Sequence, residues 1–454
     1  MRLVRILVGL GLALVPIPAH ADSPDQITVM TRNMYLGADV GPAMKLLPNF
    51  SAAAEFMWKQ VKQTDFSKRS VAMAREISSA QPDVIALQEA TKWICTPHVW
   101  SKKKVVYDFT SQLIEALHQQ GDEYKLASAN GKVAFNTGFS INPIPNLTMV
   151  NDPETFQPLF GVDKAACGFQ IADALLVKAD LKVAQVGTSE YTKSYTIIPT
   201  LMTVYRGYSW ADISFDGKVI RFVATHLESL FDEQDVPVAK IQADQLVADT
   251  SAVNMPLVVM GDFNSDPRDP RPAAAENPGG QPKENDKCQA QVSVPVEAIA
   301  IDVCNAYWTM LNAGFMDSGP NPLDQQSLTW GYDALLAGPS VDRPTGMTDR
   351  LDYVFTKNFR QPISAAVFGN RYPQGIGMWK CGSAQCAASD HAGVVVTLHM
   401  PTSTVQDAAL PGHAPFPIGF WKSVGLLAVV VAPWSLRRRR IKKRQLLQDI
   451  DREV

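Results

Sequence analysis

Six short apolar runs meet polar residues that carry chemistry, and this pattern constrains the chain more than any other feature. Asn33 follows ITVMTR, Gln88-Glu89 ends DVIALQE, and His226 ends RFVATH. Asp262 and Asn264 end VVMGDFN, Asp352 lies in RLDYVF, and Ser389-Asp390-His391 precedes GVVVTL. A strand puts its end residues at a sheet edge, so several such strands can bring their ends to one mouth. β-Branched runs recur at 27–32, 83–87, 172–177, 201–205, 219–225, 257–261, 350–355 and 393–398, and helical patterns lie at 67–79, 108–119, 233–249 and 300–313. Strict strand–helix alternation is missing, so the pattern predicts sheet layers flanked by helices rather than an all-parallel fold. Segments 130–168 and 266–296, rich in Pro, Gly, Asn and Asp, read as long loops. Neither is long enough for a domain of its own, which leaves one body from about residue 27 to 400.

The polar set has a coherent chemistry. Its carboxylates suit a hard divalent cation, its two asparagines can steer a phosphate or a water, and its two histidines can move a proton or hold charge. Each piece alone has a plain structural explanation: a Glu after a strand caps a turn, and a single His is more often a satisfied structural residue. Six such junctions in one chain are harder to assign to chance.

In order, TRN, LQE, THL, GDFN, RLDY and SDH resemble the endonuclease/exonuclease/phosphatase superfamily over nearly the whole body. That group includes pancreatic-type deoxyribonuclease, abasic-site endonucleases, inositol polyphosphate 5-phosphatases and bacterial sphingomyelinases. The resemblance implies a four-layered α/β sandwich, with two mostly antiparallel sheets face to face and helices outside. It also implies hydrolysis of a phosphoester with Mg²⁺, or Mn²⁺ in its place. Carried over, Glu89 is the principal metal ligand, with Asn33 beside it and Asp390 at a second metal-side position. Asp262 positions and deprotonates the attacking water, and Asn264 orients that water or a phosphoryl oxygen. His391 contacts the scissile phosphate with Asp352 holding its ring, and His226 matches a phosphate-binding position. One departure is Gly393, where the family often has Pro; it touches strand entry rather than chemistry. With all these groups present, a catalytically inactive binding scaffold is a remote alternative.

The two ends point outside the cytoplasm. Residues 1–21 have a basic start, an apolar stretch and Ala19-His20-Ala21, and read as a signal peptide. After the catalytic body (22–400) and a linker (401–415), residues 416–436 are predominantly apolar and RRRRIKKR follows at once. The expectation is a single span with the body on the extracytoplasmic side and the tail 437–454 inside; a buried core helix is the alternative. A mean hydropathy of −0.06 excludes a polytopic membrane protein. Six cysteines without a CxxC pair suit structural disulfides in an oxidising compartment. Cys381 with Cys386 would close a short loop and Cys288 with Cys304 is the next most economical pairing, although connectivity does not follow from sequence.

The substrate is less constrained. With the eleven basic and three acidic residues of the ends set aside, the body carries 31 basic against 42 acidic residues, net −11. That charge counts modestly against a nuclease, because nucleic acid is gripped through its phosphates. A phospholipid is the competing substrate, supported by the C-terminal tether and by Met378-Trp379 just before Ser389. In similar bacterial sphingomyelinases a hairpin at this point presents aromatics to the bilayer, while an ordinary packed Trp379 is the plain alternative. An inositol phosphatase fits least well, since Asp349-Arg350 only partly echoes the Cys-Asp-Arg element of those enzymes. The expected partners are thus a nucleic acid or phospholipid substrate and a membrane, with no protein partner.

Overall fold

Both faces of the central strands are apolar, and this decides the layering. The computed structural model describes residues 25–198, 202–229, 237–268, 305–338, 340–342, 346–369 and 375–401. A ten-stranded sheet runs in the order Ser364–Phe368, Gly393–His399, Gln26–Asn33, Val84–Gln88, Lys164–Lys178, Lys92–Thr96, Lys104–Asp108, and the long strand Lys164–Lys178 pairs three further short strands. A six-stranded sheet runs Lys182–Glu190, Gly207–Phe215, Lys218–His226, Leu257–Asp262, Asp352–Lys357, Met316–Asp317. Among these pairings only Gln26–Asn33 with Val84–Gln88 and Lys218–His226 with Leu257–Asp262 are parallel.

Period-2 alternation sorts each strand between two cores. Val29, Val84, Ala86, Leu175 and Val177 face Ile213, Phe222, Ala224, Val258 and Met260 of the other sheet, forming the inter-sheet core. Their neighbours Met30, Ile85, Leu87 and Leu176 point outward beneath helices Phe50–Thr64, Phe66–Ala80 and Phe109–Gln120. On the far side Val223, Leu257, Val259 and Phe355 pack under helices Val238–Thr250 and Ala306–Asn312. The result is a helix–sheet–sheet–helix sandwich, as the resemblance implies.

Several expectations change. The segment 130–168, read as a loop, contains strands Phe135–Ile141 and Met149–Asn151 and helix Pro153–Phe160. Its apolar stretches are short and broken by turn residues, and they become ordered because the overhanging strand Lys164–Lys178 offers them a partner. The helical pattern at 300–313 is helix only over Ala306–Asn312 among the described residues. The described disulfides are Cys381–Cys386, as expected, and Cys95–Cys167, which joins neighbours in register on adjacent strands. Trp379 is not an exposed anchor: it is 8% exposed, its indole N–H donates to the Ala387 carbonyl, and Lys68 lies over its ring. The hairpin Met378–Cys381/Ala384–Ala387 folds back against helix Phe66–Ala80, and that contact covers the ring. Among the described residues no helix is long and apolar enough to cross a membrane. The signal peptide, the linker beyond residue 401, the span 416–436, the basic tail, the Cys288–Cys304 pairing and nearly all of 266–296 lie outside the described residues.

Candidate active site

Strand direction gathers the polar set at one edge of the sandwich. Asn33 and Gln88 are Cα partners at the ends of two parallel strands, and Glu89 follows. In the other sheet His226, Asp262 and Asp352 sit side by side in register. Asp352 and His391 occupy strand starts rather than ends, because Asp352–Lys357 and Gly393–His399 run antiparallel to their neighbours and so begin where those finish. Gly261 permits the close pairing beside Asp262, since a Cβ there would run into the Thr225 carbonyl.

Two of the residues are held in an uncommon backbone conformation. Glu89 and Asn264 have φ of 53° and 46°, in the left-handed region that non-glycine residues rarely enter. Surrounding hydrogen bonds hold both. The Leu36 N–H donates to Glu89 Oε2 at 2.6 Å, the Asn264 N–H donates to Asp262 Oδ1 at 2.9 Å, and Asn264 Nδ2 donates to the Leu227 carbonyl at 2.7 Å. With its Nδ2 spent on Leu227, Asn264 presents the acceptor Oδ1 to a ligand. That suits a water proton or a cation better than a phosphoryl oxygen.

Asp262 is the centre of the site. It is buried, and Asn33 Nδ2 donates to its Oδ2 at 3.0 Å while also reaching Glu89 Oε1 at 3.3 Å. Asn33 Oδ1 accepts the Tyr35 N–H at 2.9 Å, so Asn33 bridges the two carboxylates through its amide nitrogen. His226 Nε2 and His391 Nε2 lie 3.4 and 3.6 Å from Asp262 Oδ2. Burial, reinforced by Asp352 and opposed by His391, lifts Asp262 to about 7.

The two histidines are in opposite electrostatic surroundings. His391 Nδ1 is 2.8 Å from Asp352 Oδ2. Burial disfavours its imidazolium, but Asp352, Asp390 and Asp262 outweigh that and raise it to about 10. His226 is pushed well below its ordinary value by burial, by Arg206 and by His391. Arg206 Nη1 donates to His226 Nδ1 at 3.1 Å, and a guanidinium has no acceptor, so Nδ1 must accept and the proton sits on Nε2. His226 is therefore a neutral N–H donor aimed at Asp262, and His391 a cation on its other side.

Some participants escape sequence reasoning. Arg206, which also pairs with Glu228 at 3.3 Å, lies in an unremarkable turn and left no signal. Asp173 is buried within sensing distance of Arg206, Asp262 and Glu89, and burial raises it well above the carboxylate range. A charge interrupting the apolar run IADALLV was the available clue. Trp330 Nε1 reaches Asp390 Oδ2 at 3.4 Å, and the buried Arg32, paired with Glu76, donates to the His391 carbonyl at 2.6 Å. A separate apolar cavity of about 70 Å³ beside Met57, Trp93 and Phe169 contains none of these groups.

The donor set fits a hard cation. Asp262, Asp352 and His391 bring possible ligand atoms within 4.8 Å of one another. The short His391–Asp352 contact reads as an ion pair that a metal would have to break, whereas Glu89 and Asp390 repel each other and make no salt bridge among the described residues, although the buried Arg69 guanidinium is near enough to feel both. Burial, with the Glu89 charge adding to it and His391 opposing, raises Asp390 to about 6. Asp352 Oδ1 is a buried acceptor without a hydrogen-bond partner among the described residues. A dication would relieve this excess of buried negative charge.

The model of the Endonuclease/Exonuclease/phosphatase family matches residues 60–391. Solved structures to which the chain is similar include a family protein from Leptotrichia buccalis, at 16% identity over 82% of this chain and 100% of that one, with a TM-score of 0.41. One from Bacteroides thetaiotaomicron aligns at 12% identity over 82% and 97%, TM-score 0.43, and a truncated TDP2 from Caenorhabditis elegans at 12% over 83% and 98%, TM-score 0.39. No curated protein matches the chain.

Proposed function

This chain belongs to the endonuclease/exonuclease/phosphatase family, and from that membership and the site geometry we propose that it is a divalent-metal-dependent phosphodiesterase working through an activated water. The observation that carries the reading is Asp262, buried and raised to about 7, between a neutral and a cationic histidine. Pairs of titratable groups driven apart by their surroundings mark acid and base roles.

Asp262 takes the proton of the attacking water, and Asn264 Oδ1 accepts that water's second hydrogen. His391, kept cationic by Asp352, donates to the phosphoryl group whose charge grows in the transition state. His226 Nε2–H adds a neutral donor beside it. Glu89 and Asp390 would hold Mg²⁺ or Mn²⁺, with Asn33 keeping Glu89 and Asp262 in place, and the bound ion supplies Lewis-acid polarisation of the phosphoryl oxygen. Hydrolysis of a chromogenic phosphodiester by the purified protein should require Mg²⁺ or Mn²⁺ and stop in chelator. Undiminished turnover in chelator would sink the reading.

We also read the protein as exported and held to the membrane by residues 416–436, with the catalytic body outside. The support is the signal-like start, the apolar stretch before RRRRIKKR, and disulfides that suit an oxidising compartment. Protease added to spheroplasts should digest the body. The substrate is a nucleic acid or a phospholipid head group, and a panel of DNA, RNA, sphingomyelin, phosphatidylcholine and inositol phosphates separates them.

A further inference from the structure

Trp100 is 93% exposed, more than any other large apolar residue among those described. It stands at the tip of the hairpin between strands Lys92–Thr96 and Lys104–Asp108, with Val99 64% and Val105 51% exposed beside it. Lys102, Lys103 and Lys104 follow in the same exposed stretch. An indole and a valine at a tip with three lysines behind them are matched to an interface: apolar area for the acyl boundary and ammonium groups for anionic head groups.

The loop is built rather than slack. Thr96 Oγ1 donates to the carbonyls of His98 and Ser101 at 3.1 and 3.3 Å, and Ser101 Oγ meets the His98 ring at 3.0 Å. The disulfide Cys95–Cys167 ties the hairpin to the long strand. Lys103 Nζ donates to Asn142 Oδ1 and Lys104 Nζ to the Leu159 carbonyl, so the charges are held at the base while Val99 and Trp100 project. A tip ordered before contact loses little entropy on binding.

Strand register shows which end of the molecule the hairpin occupies. Leu87, just before the mouth, pairs with Ala174, whereas Thr96 pairs with Ala166 on the same strand. Lys164–Lys178 overruns the mouth by those eight residues, about 26 Å at roughly 3.3 Å per residue, and carries the hairpin with it. Trp100 therefore lies on the active-site end of the sandwich and not behind it.

We propose that the 98–105 hairpin is a membrane-docking element that seats Val99 and Trp100 in the surface of an anionic phospholipid bilayer, at the end of the molecule that carries the site. Nucleic acid is the competing partner for lysines next to an aromatic. The contiguous Val99-Trp100 tip favours lipid, because valine offers a base no stacking face. The proposal does not depend on the catalytic reading, and its primary readout is independent of turnover.

The test uses the full chain reconstituted in phosphatidylcholine vesicles with and without phosphatidylglycerol. Trp100 emission is isolated as the difference between the wild type and Trp100→Phe, a change at a residue too exposed to unfold the protein. Brominated lipids should quench that difference emission, and aqueous iodide should lose access to it, more strongly with phosphatidylglycerol present. K102E/K103E should reverse the protection. Equal iodide access with and without vesicles would overturn the proposal. So would protection of Trp100 by a single-stranded oligonucleotide but not by vesicles.

Discussion

Replacing Asp352 by Asn should narrow the pH range of catalysis from its basic side. In the folded protein His391 is raised from 6.5 to about 10, with Asp352 the largest favourable cause, 2.8 Å away. At roughly 1.4 kcal/mol per pH unit this gap is about 5 kcal/mol in favour of the imidazolium. With Asp352 neutralised, burial pulls the ring back towards or below its ordinary value against Asp390 and Asp262 alone. At pH 7.5 the cationic fraction then falls from nearly all to roughly one in ten, and ring misorientation adds to the loss, up to about 10⁴-fold in comparable dyads. In the wild type kcat/KM on a soluble phosphodiester should rise through about 7 as Asp262 loses its proton, and stay level until His391 loses its own near 10. In Asp352→Asn the plateau should collapse to a low peak near neutrality. Stability follows the same linkage: the folded His391 value lies above the unfolded one, so its contribution is full below about 6.5 and is lost as pH rises through about 10. The variant's stability deficit, at most about 5 kcal/mol, should therefore be largest in acid and vanish above pH 10. An Asp352→Asn enzyme with an unshifted basic limb would refute the argument that His391 acts as a cation.

Asp262→Asn should cost roughly three or more orders of magnitude in turnover with an unchanged far-ultraviolet circular dichroism spectrum, and near-normal turnover would remove it as the base. Glu89→Gln should abolish stimulation by Mg²⁺ and heat released on metal binding by calorimetry, while a variant that still titrates with metal would place the ion elsewhere. Arg206→Met should free His226 Nδ1, visible as a tautomer change in ¹⁵N shifts, and slow turnover roughly ten- to a hundredfold; an unchanged ¹⁵N signature would mean that another group orients the ring. Trp379→Ala should destabilise the fold by about 3–5 kcal/mol in denaturant melts and depress activity on vesicles and soluble substrate alike, as expected for a packed ring.

The central strands near 27–32, 83–87, 172–177, 219–225 and 257–261 could be read from sequence because they are apolar on both faces, whereas Lys92–Thr96, Lys104–Asp108, Lys182–Glu190, Gly207–Phe215 and Ser364–Phe368 were not picked out. Ile85 and Ala86 look alike in a hydropathy run, yet one meets helices and the other meets the opposite sheet. The polar residues at the junctions were legible for a different reason: each alone could simply cap a turn, but six such junctions in one fixed order are hard to assign to turns. The segment 130–168 was misread because short strands that depend on a neighbour's overhang carry no periodicity of their own. Trp379 was ambiguous because a tryptophan in a short hairpin reads the same whether the hairpin folds back or projects.

From the sequence alone came the family resemblance, the layer type, and the candidate site groups Asn33, Glu89, His226, Asp262, Asn264, Asp352, Asp390 and His391, because local composition and order encode them. Charge state was decided only by the tertiary structure. Whether a histidine is neutral or cationic depends on what lies within a few ångströms, and Arg206 and Asp352 reach His226 and His391 from 20 and 39 residues away. Which tryptophan meets solvent was decided there too, since exposure belongs to the packed surface: Trp379 is covered by helix Phe66–Ala80, and among the described residues nothing comparable covers Trp100.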